Sequence, residues 1–316
     1  AMVAASGMAA ITAALMSILS SGDHLLVQDN VYGGTRTFLT QDASRFGITH
    51  TNIDPMKPHT WEAARTENTK AIYVEGISNP LLGVGDLQAI VTFAKEHGLI
   101  TLIDNTFLSP VLFRPAEIGF DIVLHSATKY LNGHSDIVAG VIAGSAEHVG
   151  AALHQLNHFG GSLDTHACFL LERGLKTLGL RVNYQASSAQ RVAEALCRHP
   201  SIQQVIYPGL PDHPGHALAS ELFDGFGAMV SFRARDGDFA SRFVEAVQIP
   251  IHAASLGGVE SLVVQPSRST HMGMAIAERE ALGITDDLVR ISVGIEDPDE
   301  LISDLIRALD IATQKS

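Results

Sequence analysis

DIVLHSATKYLNGHSDIVAG, the stretch from Asp121 to Gly140, places Lys129 directly behind an apolar run and a turn of small and hydroxyl residues. The run from Asp121 to His125 contains β-branched residues and predicts a buried strand. Open α/β sheets bind ligands at the carboxyl ends of their strands. We therefore expect Ser126, Thr128 and Lys129 to lie together at a ligand site, with Lys129 as the catalytic residue.

The chemistry of this turn suits a phosphate ester that carries an aldehyde. Its two hydroxyls can bond phosphate oxygens, while the lysine amine can form a Schiff base with the aldehyde. Pyridoxal phosphate is such a molecule, and it is the cofactor that we expect. A surface lysine at a strand end is the alternative, and it would be preferred for an isolated SxTK pattern.

Two other element ends carry residues that suit the same cofactor. Gly7 and Met8 begin an apolar segment with helical spacing, so their free N–H groups can bind an anion. Tyr32 follows a predicted strand, His24 to Asp29, and its side chain can stack on a flat ring. The alternatives are ordinary N-capping for the first pair and a core position for Tyr32.

Asp104 and Asn79 also follow predicted strands. Asp104 ends the run from Leu99 to Ile103, where a carboxylate is costly unless a cation meets it. A protonated pyridine nitrogen would supply that cation and keep the ring an effective electron sink. Pro80 holds Asn79 out of the helical region, so its amide projects from a fixed turn. A structural N-cap and an ordinary Asn-Pro turn are the alternatives.

Composition predicts a globular protein and disfavours several classes of partner. The chain has 316 residues, of which 46% are hydrophobic and 17% charged, and its formal net charge is -13. That charge argues against nucleic acid and anionic membranes, which require a clustered basic surface. The apolar start, Ala1 to Ser21, lacks the basic residues of a signal peptide and is interrupted by Ser6-Gly7. We expect a cytoplasmic protein.

The histidines and cysteines predict neither a metal site nor a disulfide framework. The sequence contains 15 histidines but no HExxH pattern and no paired CxxC. Cys168 and Cys197 lie beside apolar residues in segments of helical character. We expect both to be reduced thiols in the core.

The order of predicted elements is strand, functional turn and helix, which predicts an α/β protein with a mostly parallel sheet. A helical run extends from Asp164 to Arg198, with a break near Gly179, and a cluster of prolines follows. We place a domain boundary near Arg181. It separates a large domain, residues 1–181, from a smaller α+β domain, residues 182–316.

Seven motifs that span essentially the whole chain resemble those of a known family, in the family's order. They are Ser6-Gly7-Met8, Tyr32-Gly33-Gly34-Thr35, Ser78-Asn79-Pro80, Asp104-Asn105-Thr106-Phe107, the segment from His125 to Gly133, Ser255-Leu256-Gly257-Gly258, and the segment from Arg290 to Glu296. The family comprises the pyridoxal-phosphate enzymes of cysteine and methionine metabolism, such as cystathionine γ-synthase, cystathionine γ-lyase, methionine γ-lyase and the homoserine-ester sulfhydrylases. The resemblance implies an aspartate-aminotransferase-like fold of type I.

The resemblance also implies roles for single residues. For the cofactor, it implies that the backbone of Gly7 and Met8 contacts the phosphate, that Tyr32 stacks on the ring and that Asn79 bonds the ring oxygen. It likewise implies homotetramers whose active sites are shared across a dimer interface. Family members usually carry several tens of residues before the point where this chain starts, including a tyrosine and an arginine that reach a neighbouring subunit's phosphate. We expect the sequence to be an incomplete version; the alternative is a chain that lacks part of this clamp.

In the second half of the chain, the resemblance points to substrate binding. It places Ser255 and Asn79 beside the substrate. It also implies that Arg290 binds the α-carboxylate of the substrate, a role that suits the planar bidentate guanidinium. Alone, an arginine on a strand would more often form a surface ion pair. His271 matches a Thr-His pair to which we assign a structural role.

The resemblance implies an enzyme that acts on a small amino acid at its γ-carbon, with Lys129 as general base and Tyr32 as proton donor or acceptor. We favour γ-elimination of the methionine or cystathionine γ-lyase type over γ-replacement, as in cystathionine γ-synthase or O-acylhomoserine sulfhydrylase. Two subgroup markers are missing: the glutamate that members handling cystathionine often carry where this chain has Ala254, and the cysteine that methionine γ-lyases usually carry at the position of Gly34. A catalytically defective, assembly-only chain is an alternative of another class. A nicotinamide-dependent enzyme is disfavoured because no GxGxxG follows the first strand.

Overall fold

The computed structural model describes residues 1–270 and 272–314, which form two compact units. The large unit comprises Ala1–Ser78 and Val84–Lys176, and the small unit comprises Asn79–Gly83 and the chain from Thr177 onward. His271 lies outside the described residues, so its structural role stays a prediction.

A seven-stranded sheet forms the centre of the large unit. Its strands are β1 (Met2–Ala4), β2 (His24–Gln28), β3 (Thr49–Ile53), β4 (Thr69–Glu75), β5 (Ile100–Asp104), β6 (Ile122–Ser126) and β7 (Gly140–Gly144). Their order is β1-β7-β6-β5-β4-β2-β3. The strands from β3 to β6 pair in parallel, whereas β7 and β1 pair antiparallel at one edge. The predicted mostly parallel sheet is confirmed.

The large unit has eight α-helices, of which the first six lie between its strands and the last two follow β7. They are α1 (Gly7–Ile18), α2 (Gly33–Thr37), α3 (Trp61–Ala64), α4 (Leu87–His97), α5 (Ser109–Leu112), α6 (Pro115–Ile118), α7 (Ala146–Phe159) and α8 (Thr165–Leu175). The main helices begin at side-chain caps: Ser6 Oγ accepts from the Ala9 N–H at 2.9 Å, and Asp86 Oδ1 accepts from the Ala89 N–H at 2.9 Å. Such caps each stabilise a helix by about 1 kcal/mol. They fix where α1 and α4 start.

One apolar core joins α1 to the sheet. It contains Ile11 and Leu15 of α1 together with Leu25, Leu102 and Leu124 of the central strands, all at most 3% exposed. Each such side chain stabilises the fold by about 1.5–3 kcal/mol through burial. The strand ends that carry the candidate site residues are thereby held on a rigid support.

The described residues of the small unit form a five-stranded sheet and five α-helices. The strands are β8 (Ile202–Ile206), β9 (Met229–Ala234), β10 (Ile251–His252), β11 (Leu262–Val264) and β12 (Leu288–Ser292), and the helices are α9 (Leu178–Leu196), α10 (His216–Leu222), α11 (Gly237–Ala246), α12 (Ile276–Ala281) and α13 (Pro298–Gln314). The sheet order is β10-β11-β12-β9-β8, with only β10 and β11 in parallel. Among the helices of the described residues, none is long and apolar enough to cross a bilayer.

The predicted break in the helical run lies before Gly179 rather than at it. Helix α8 ends at Leu175, and α9 begins at Leu178 after Thr177, whose φ of -113° and ψ of 4° depart from the helix. Gly179 lies within α9, where glycine costs only about 0.5–1 kcal/mol relative to alanine. The division of the chain at Arg181 stays a prediction; that residue lies one turn beyond the change of unit at Thr177.

The prediction that both cysteines lie in the core is wrong, although both are free thiols. Cys168 is half-buried on α8 next to Phe169, which is 59% exposed, and Cys197 is exposed. Cys197 follows Leu196, the last residue of α9, and lies just beyond its buried face. Apolar neighbours in sequence misled the prediction, because adjacent residues of a helix face different directions.

Candidate active site

Lys129 lies in a tight turn directly after β6. Its backbone N–H donates to the Ser126 carbonyl at 3.1 Å, and its carbonyl accepts from the Gly133 N–H at 2.7 Å. The Thr128 hydroxyl braces this turn: it donates to the Ala139 carbonyl at 3.2 Å and accepts from the Ala139 N–H at 3.0 Å. The structure thus brings Ser126, Thr128 and the half-buried Lys129 together at the carboxyl end of β6.

The first turn of α1 lies against Ser126 and offers donors to an anion. A Cβ atom on Gly7 would lie 2.9 Å from Ser126 Cβ and 3.0 Å from Ser126 Oγ, so glycine permits this close approach. Ser6 Oγ accepts a hydrogen bond from the Ala9 N–H. The other N–H groups in the first turn of a helix have no intrahelical partner and can donate to an anion. Backbone donors beside a hydroxyl fit the phosphate of the predicted cofactor. The Thr128 hydroxyl would have to rotate out of its turn to join them.

Tyr32 is 49% exposed just before α2, so the alternative of a core position is wrong. Its backbone N–H donates to Glu75 Oε1 at 2.6 Å. Gly34 makes room for the ring, because a Cβ atom there would lie 2.5 Å from Tyr32 Cε1 and 2.9 Å from Met8 Sδ. The aromatic ring therefore lies near the start of α1, where it is accessible for stacking on a flat ring.

Asp104 ends β5 and is oriented by Thr106. Its Oδ1 accepts from the Thr106 N–H at 2.9 Å and from the Thr106 hydroxyl. The same hydroxyl accepts from the Ser126 N–H at 2.8 Å. One side chain therefore links the carboxylate at the end of β5 to the backbone at the end of β6. The arrangement fits a flat cofactor that presents a cation to Asp104 and a phosphate near Ser126.

Burial shifts the pKa of two groups at these strand ends. It raises the pKa of the Asp104 carboxyl, although the hydrogen bonds from Thr106 act in the opposite direction. A carboxylate in such surroundings gains most from a positive partner, as a pyridinium nitrogen would be. Burial lowers the pKa of His125 to about 4, so this imidazole is neutral at pH 7.

Two residues of the site carry no role in the sequence-based prediction. Glu75 ends β4 and is the register partner of Asp104, and Thr106 orients that carboxylate. A signal for Glu75 was present, since it too is a carboxyl residue at the end of an apolar strand. The role of Thr106 depends on a contact with Ser126 that no pattern in the sequence reveals.

In the small unit, Arg290 joins two distant segments of the chain. It lies on β12, is 3% exposed, and donates from Nη1 to Asn79 Oδ1 at 2.8 Å and from Nη2 to the Ser255 carbonyl at 3.0 Å. Ser255 has a φ of 94°, a strained conformation for a residue with a side chain. The three predicted substrate-binding residues are therefore neighbours, and a buried Arg290 replaces the alternative of a surface ion pair.

The Asn79 segment is anchored to the same sheet. Ser231 Oγ, on β9, donates to the Pro80 carbonyl at 2.7 Å. The Ser255 loop is anchored as well, because the Gly257 N–H donates to Ser292 Oγ at 2.9 Å. These two acceptors of the guanidinium are uncharged oxygen atoms, one of an amide side chain and one of the backbone, and both lie on anchored segments, which orients the planar group for recognition of an anion.

Comparisons with known proteins show which family and which relatives this chain resembles. The family model for the Cys/Met metabolism PLP-dependent enzymes matches residues 1–310. The cystathionine beta-lyase MetC of Bacillus subtilis is 46% identical over 305 residues, which are 96% of this chain and 78% of that protein. The cystathionine gamma-lyase of the same organism is 45% identical over 306 residues, 96% of this chain and 80% of that protein. The solved structure of cystathionine gamma-lyase from Lactobacillus plantarum, complexed with L-serine, has a TM-score of 0.95 and 40% identity over 99% of this chain and 82% of that chain.

Proposed function

The chain belongs to the Cys/Met metabolism PLP-dependent enzyme family, and from this premise we propose that it cleaves L-cystathionine by γ-elimination. The fold of type I and the cofactor, pyridoxal 5'-phosphate, that the sequence predicts are confirmed. The protein is a PLP-dependent lyase or transferase of trans-sulfuration that acts on small amino-acid substrates. The observation that carries the proposed reaction is the placement of Lys129 and Asp104 at the ends of neighbouring strands.

Lys129 and Asp104 are assigned to the central proton transfer. When bound, pyridoxal phosphate supplies an electron sink for the pair left behind at the substrate α-carbon. With the cofactor bound, Lys129 Nζ would hold its aldehyde; once the substrate amine had displaced it, the freed Nζ would take the α-proton as general base. Asp104 holds a positive charge at the ring nitrogen, a role that its burial and its fixed orientation by Thr106 support.

Tyr32 is assigned to ring stacking and to proton transfer at the leaving sulfur. Its side chain is half-exposed, while its backbone is held by Glu75. A phenol that is reachable from solvent and fixed at its main chain can deliver a proton to the departing thiolate. Gly7, Met8, Ser126 and Thr128 are assigned to the phosphate.

Arg290, Asn79 and Ser255 are assigned to the substrate α-carboxylate and its surroundings. The guanidinium presents paired N–H donors, which match the two oxygens of a carboxylate. Its hydrogen bonds to Asn79 Oδ1 and the Ser255 carbonyl support this role, because they fix the plane of the group before any substrate arrives.

Gly34 supports cystathionine rather than methionine as the substrate. A Cβ atom at this position would lie 2.5 Å from Tyr32 Cε1, so the cysteine of methionine γ-lyases would displace the tyrosine ring. The position of the Tyr32 ring therefore requires a glycine at residue 34, whereas methionine γ-lyases have a cysteine at this position. The gamma-lyase relatives point in the same direction.

β-Elimination is the second candidate, favoured by the 46% identity to a cystathionine beta-lyase. It breaks the other carbon–sulfur bond of the same substrate and yields pyruvate, ammonia and homocysteine. γ-Elimination yields 2-oxobutanoate, ammonia and cysteine. γ-Replacement, the remaining alternative, would join an O-acylhomoserine to a thiol and yield a thioether.

The products identify the reaction. With bound pyridoxal phosphate and L-cystathionine, we expect 2-oxobutanoate and cysteine in excess over pyruvate and homocysteine, by mass spectrometry. An excess of pyruvate would overturn γ-elimination in favour of β-elimination, and a thioether from O-acetylhomoserine with cysteine would favour replacement. No product from any of these substrates or from L-methionine would favour the assembly-only alternative.

A homotetramer with shared active sites is part of the same proposal. It follows the resemblance to the family, and the exposed side chains of Phe159 and Phe169 in the large unit, 67% and 59% accessible, are apolar area that such a contact would cover. We expect sedimentation equilibrium of the purified protein to give four times the monomer mass. A monomer at micromolar concentration would contradict this assembly.

A further inference from the structure

Glu75 is a buried carboxyl group to which the proposed reaction gives no task. It ends β4, is 5% exposed, and is the register partner of Asp104 at the end of β5. Residues in register on parallel strands project from the same face, so the two carboxyl groups are neighbours. Within the described residues, no lysine or arginine forms an ion pair with Glu75.

The hydrogen bonds of Glu75 connect two strand ends with the turn that precedes α2. Its Oε1 accepts from the Tyr32 N–H at 2.6 Å, and its backbone N–H donates to Gln28 Oε1, at the end of β2, at 3.1 Å. Gln28 Nε2 in turn donates to the Asn30 carbonyl at 3.3 Å, in the turn that precedes Tyr32. The backbone that presents the tyrosine ring is therefore held from β2 and from β4.

The surroundings of Glu75 favour a neutral acid. Burial and the charge of Asp104 both raise the pKa of Glu75 well above its ordinary value, against the weaker effect of the Tyr32 hydrogen bond. Tyr73, on the same face of β4, is also kept neutral, since burial and the charge of Asp104 raise the pKa of its phenol. The side chain of β2 that contacts Glu75, the amide of Gln28, carries no charge. Two adjacent buried carboxylates cannot both ionise at low cost.

We propose that Glu75 is a positioning residue that holds Tyr32 by its backbone as an uncharged carboxylic acid, leaving Asp104 as the sole carboxylate of the pair. The carbonyl oxygen of the acid accepts the Tyr32 N–H. A single negative charge then faces the cofactor nitrogen. The proposal rests on the assignment of Tyr32 to the cofactor ring.

Glutamine and leucine substitutions separate the hydrogen bond from the charge. Glu75→Gln keeps an uncharged acceptor of the same shape, so we expect pyridoxal phosphate to bind within about threefold of the original affinity, with unchanged visible circular dichroism. Glu75→Leu removes the acceptor, and we expect about tenfold weaker binding with a reduced dichroic band, because a buried N–H is left without a partner. Glu67→Gln is the matched control, at an exposed glutamate that precedes β4.

The pH dependence of unfolding tests the neutral state directly. A carboxyl whose pKa is higher in the folded than in the unfolded state stabilises the protein fully below the unfolded value, near 4.5, and loses that effect as pH rises. As the pH rises from 5 to 8, the thermal unfolding midpoint of the original protein should therefore fall relative to that of Glu75→Gln. We expect this both with and without bound cofactor. Relative to Glu67→Gln, the midpoint should stay constant over the same pH range.

Three outcomes would overturn the proposal. One is a constant difference in midpoint between the original protein and Glu75→Gln, which would mean that Glu75 is charged. Another is cofactor binding by Glu75→Gln as weak as that of Glu75→Leu, and the third is full affinity in Glu75→Leu. If Glu75→Leu fails to fold, the glutamine variant and its pH profile still decide. Failure of the original protein to bind cofactor would instead contradict the assigned site.

Discussion

Lys129→Ala is expected to lower kcat for L-cystathionine on the order of 10³-fold or more, because the variant loses both the cofactor attachment and the general base. The turn that holds Lys129 is formed by backbone hydrogen bonds to Ser126 and from Gly133, which alanine preserves. The fold should therefore survive, and cofactor should still bind through the phosphate and ring contacts. Stopped-flow and steady-state assays measure the loss, and the visible absorbance of covalently attached cofactor should vanish.

Two comparisons make the Lys129 result specific. Lys70→Ala removes an exposed lysine from β4 of the same unit and should leave both turnover and absorbance unchanged. A small primary amine added to Lys129→Ala should restore part of the turnover, since it can take the proton that Nζ no longer takes. Activity in Lys129→Ala within tenfold of the original protein would remove this residue from the mechanism.

Arg290→Leu is expected to lower kcat/KM for L-cystathionine by on the order of 10³-fold. Two hydrogen bonds to a charged carboxylate are lost, each worth about 1.5–3 kcal/mol. Arg290→Lys keeps the charge but not the planar fork, so its loss should be smaller yet substantial. Stability falls as well, because Asn79 Oδ1 and the Ser255 carbonyl lose their buried donor, and thermal unfolding records that part separately.

A substrate analogue distinguishes recognition from folding. A cystathionine analogue without the α-carboxylate on the half that undergoes γ-elimination lacks the group that Arg290 is assigned to bind. The original protein should therefore have a much lower kcat/KM for this analogue than for L-cystathionine. Arg290→Leu should lose that discrimination, whereas Arg198→Leu, at an exposed arginine of the same unit, should keep it. An equal loss of kcat/KM for both substrates in Arg290→Leu would indicate a purely structural residue.

The sequence predicts local features well where chemistry and periodicity coincide. Ser6 as a cap with apolar residues at helical spacing gives the start of α1, and the apolar run before Lys129 gives β6. Each needs only contacts between near neighbours in the chain. The same holds for the parallel sheet, which follows from the alternation of strands and helices.

Features that depend on register or distant contacts escaped prediction. Glu75 and Asp104 are partners only because β4 lies beside β5, and no pattern within either strand records that pairing. The hydrogen bond between Arg290 and Asn79 joins residues 211 positions apart. Cys197 shows the opposite error, since a helical segment near apolar residues suggested burial that the direction of the side chain prevents.

The small unit includes residues 79–83, although both flanks of that segment belong to the large unit. A gene cut once at Thr177 would therefore separate Arg290 from its acceptor on Asn79. A chimera that takes the carboxyl-terminal half from one homologue and the amino-terminal half from another would combine an arginine with an asparagine segment from a different parent. Recombination exchanges the whole small unit only if residues 79–83 and the chain from Thr177 onward are inherited from the same parent.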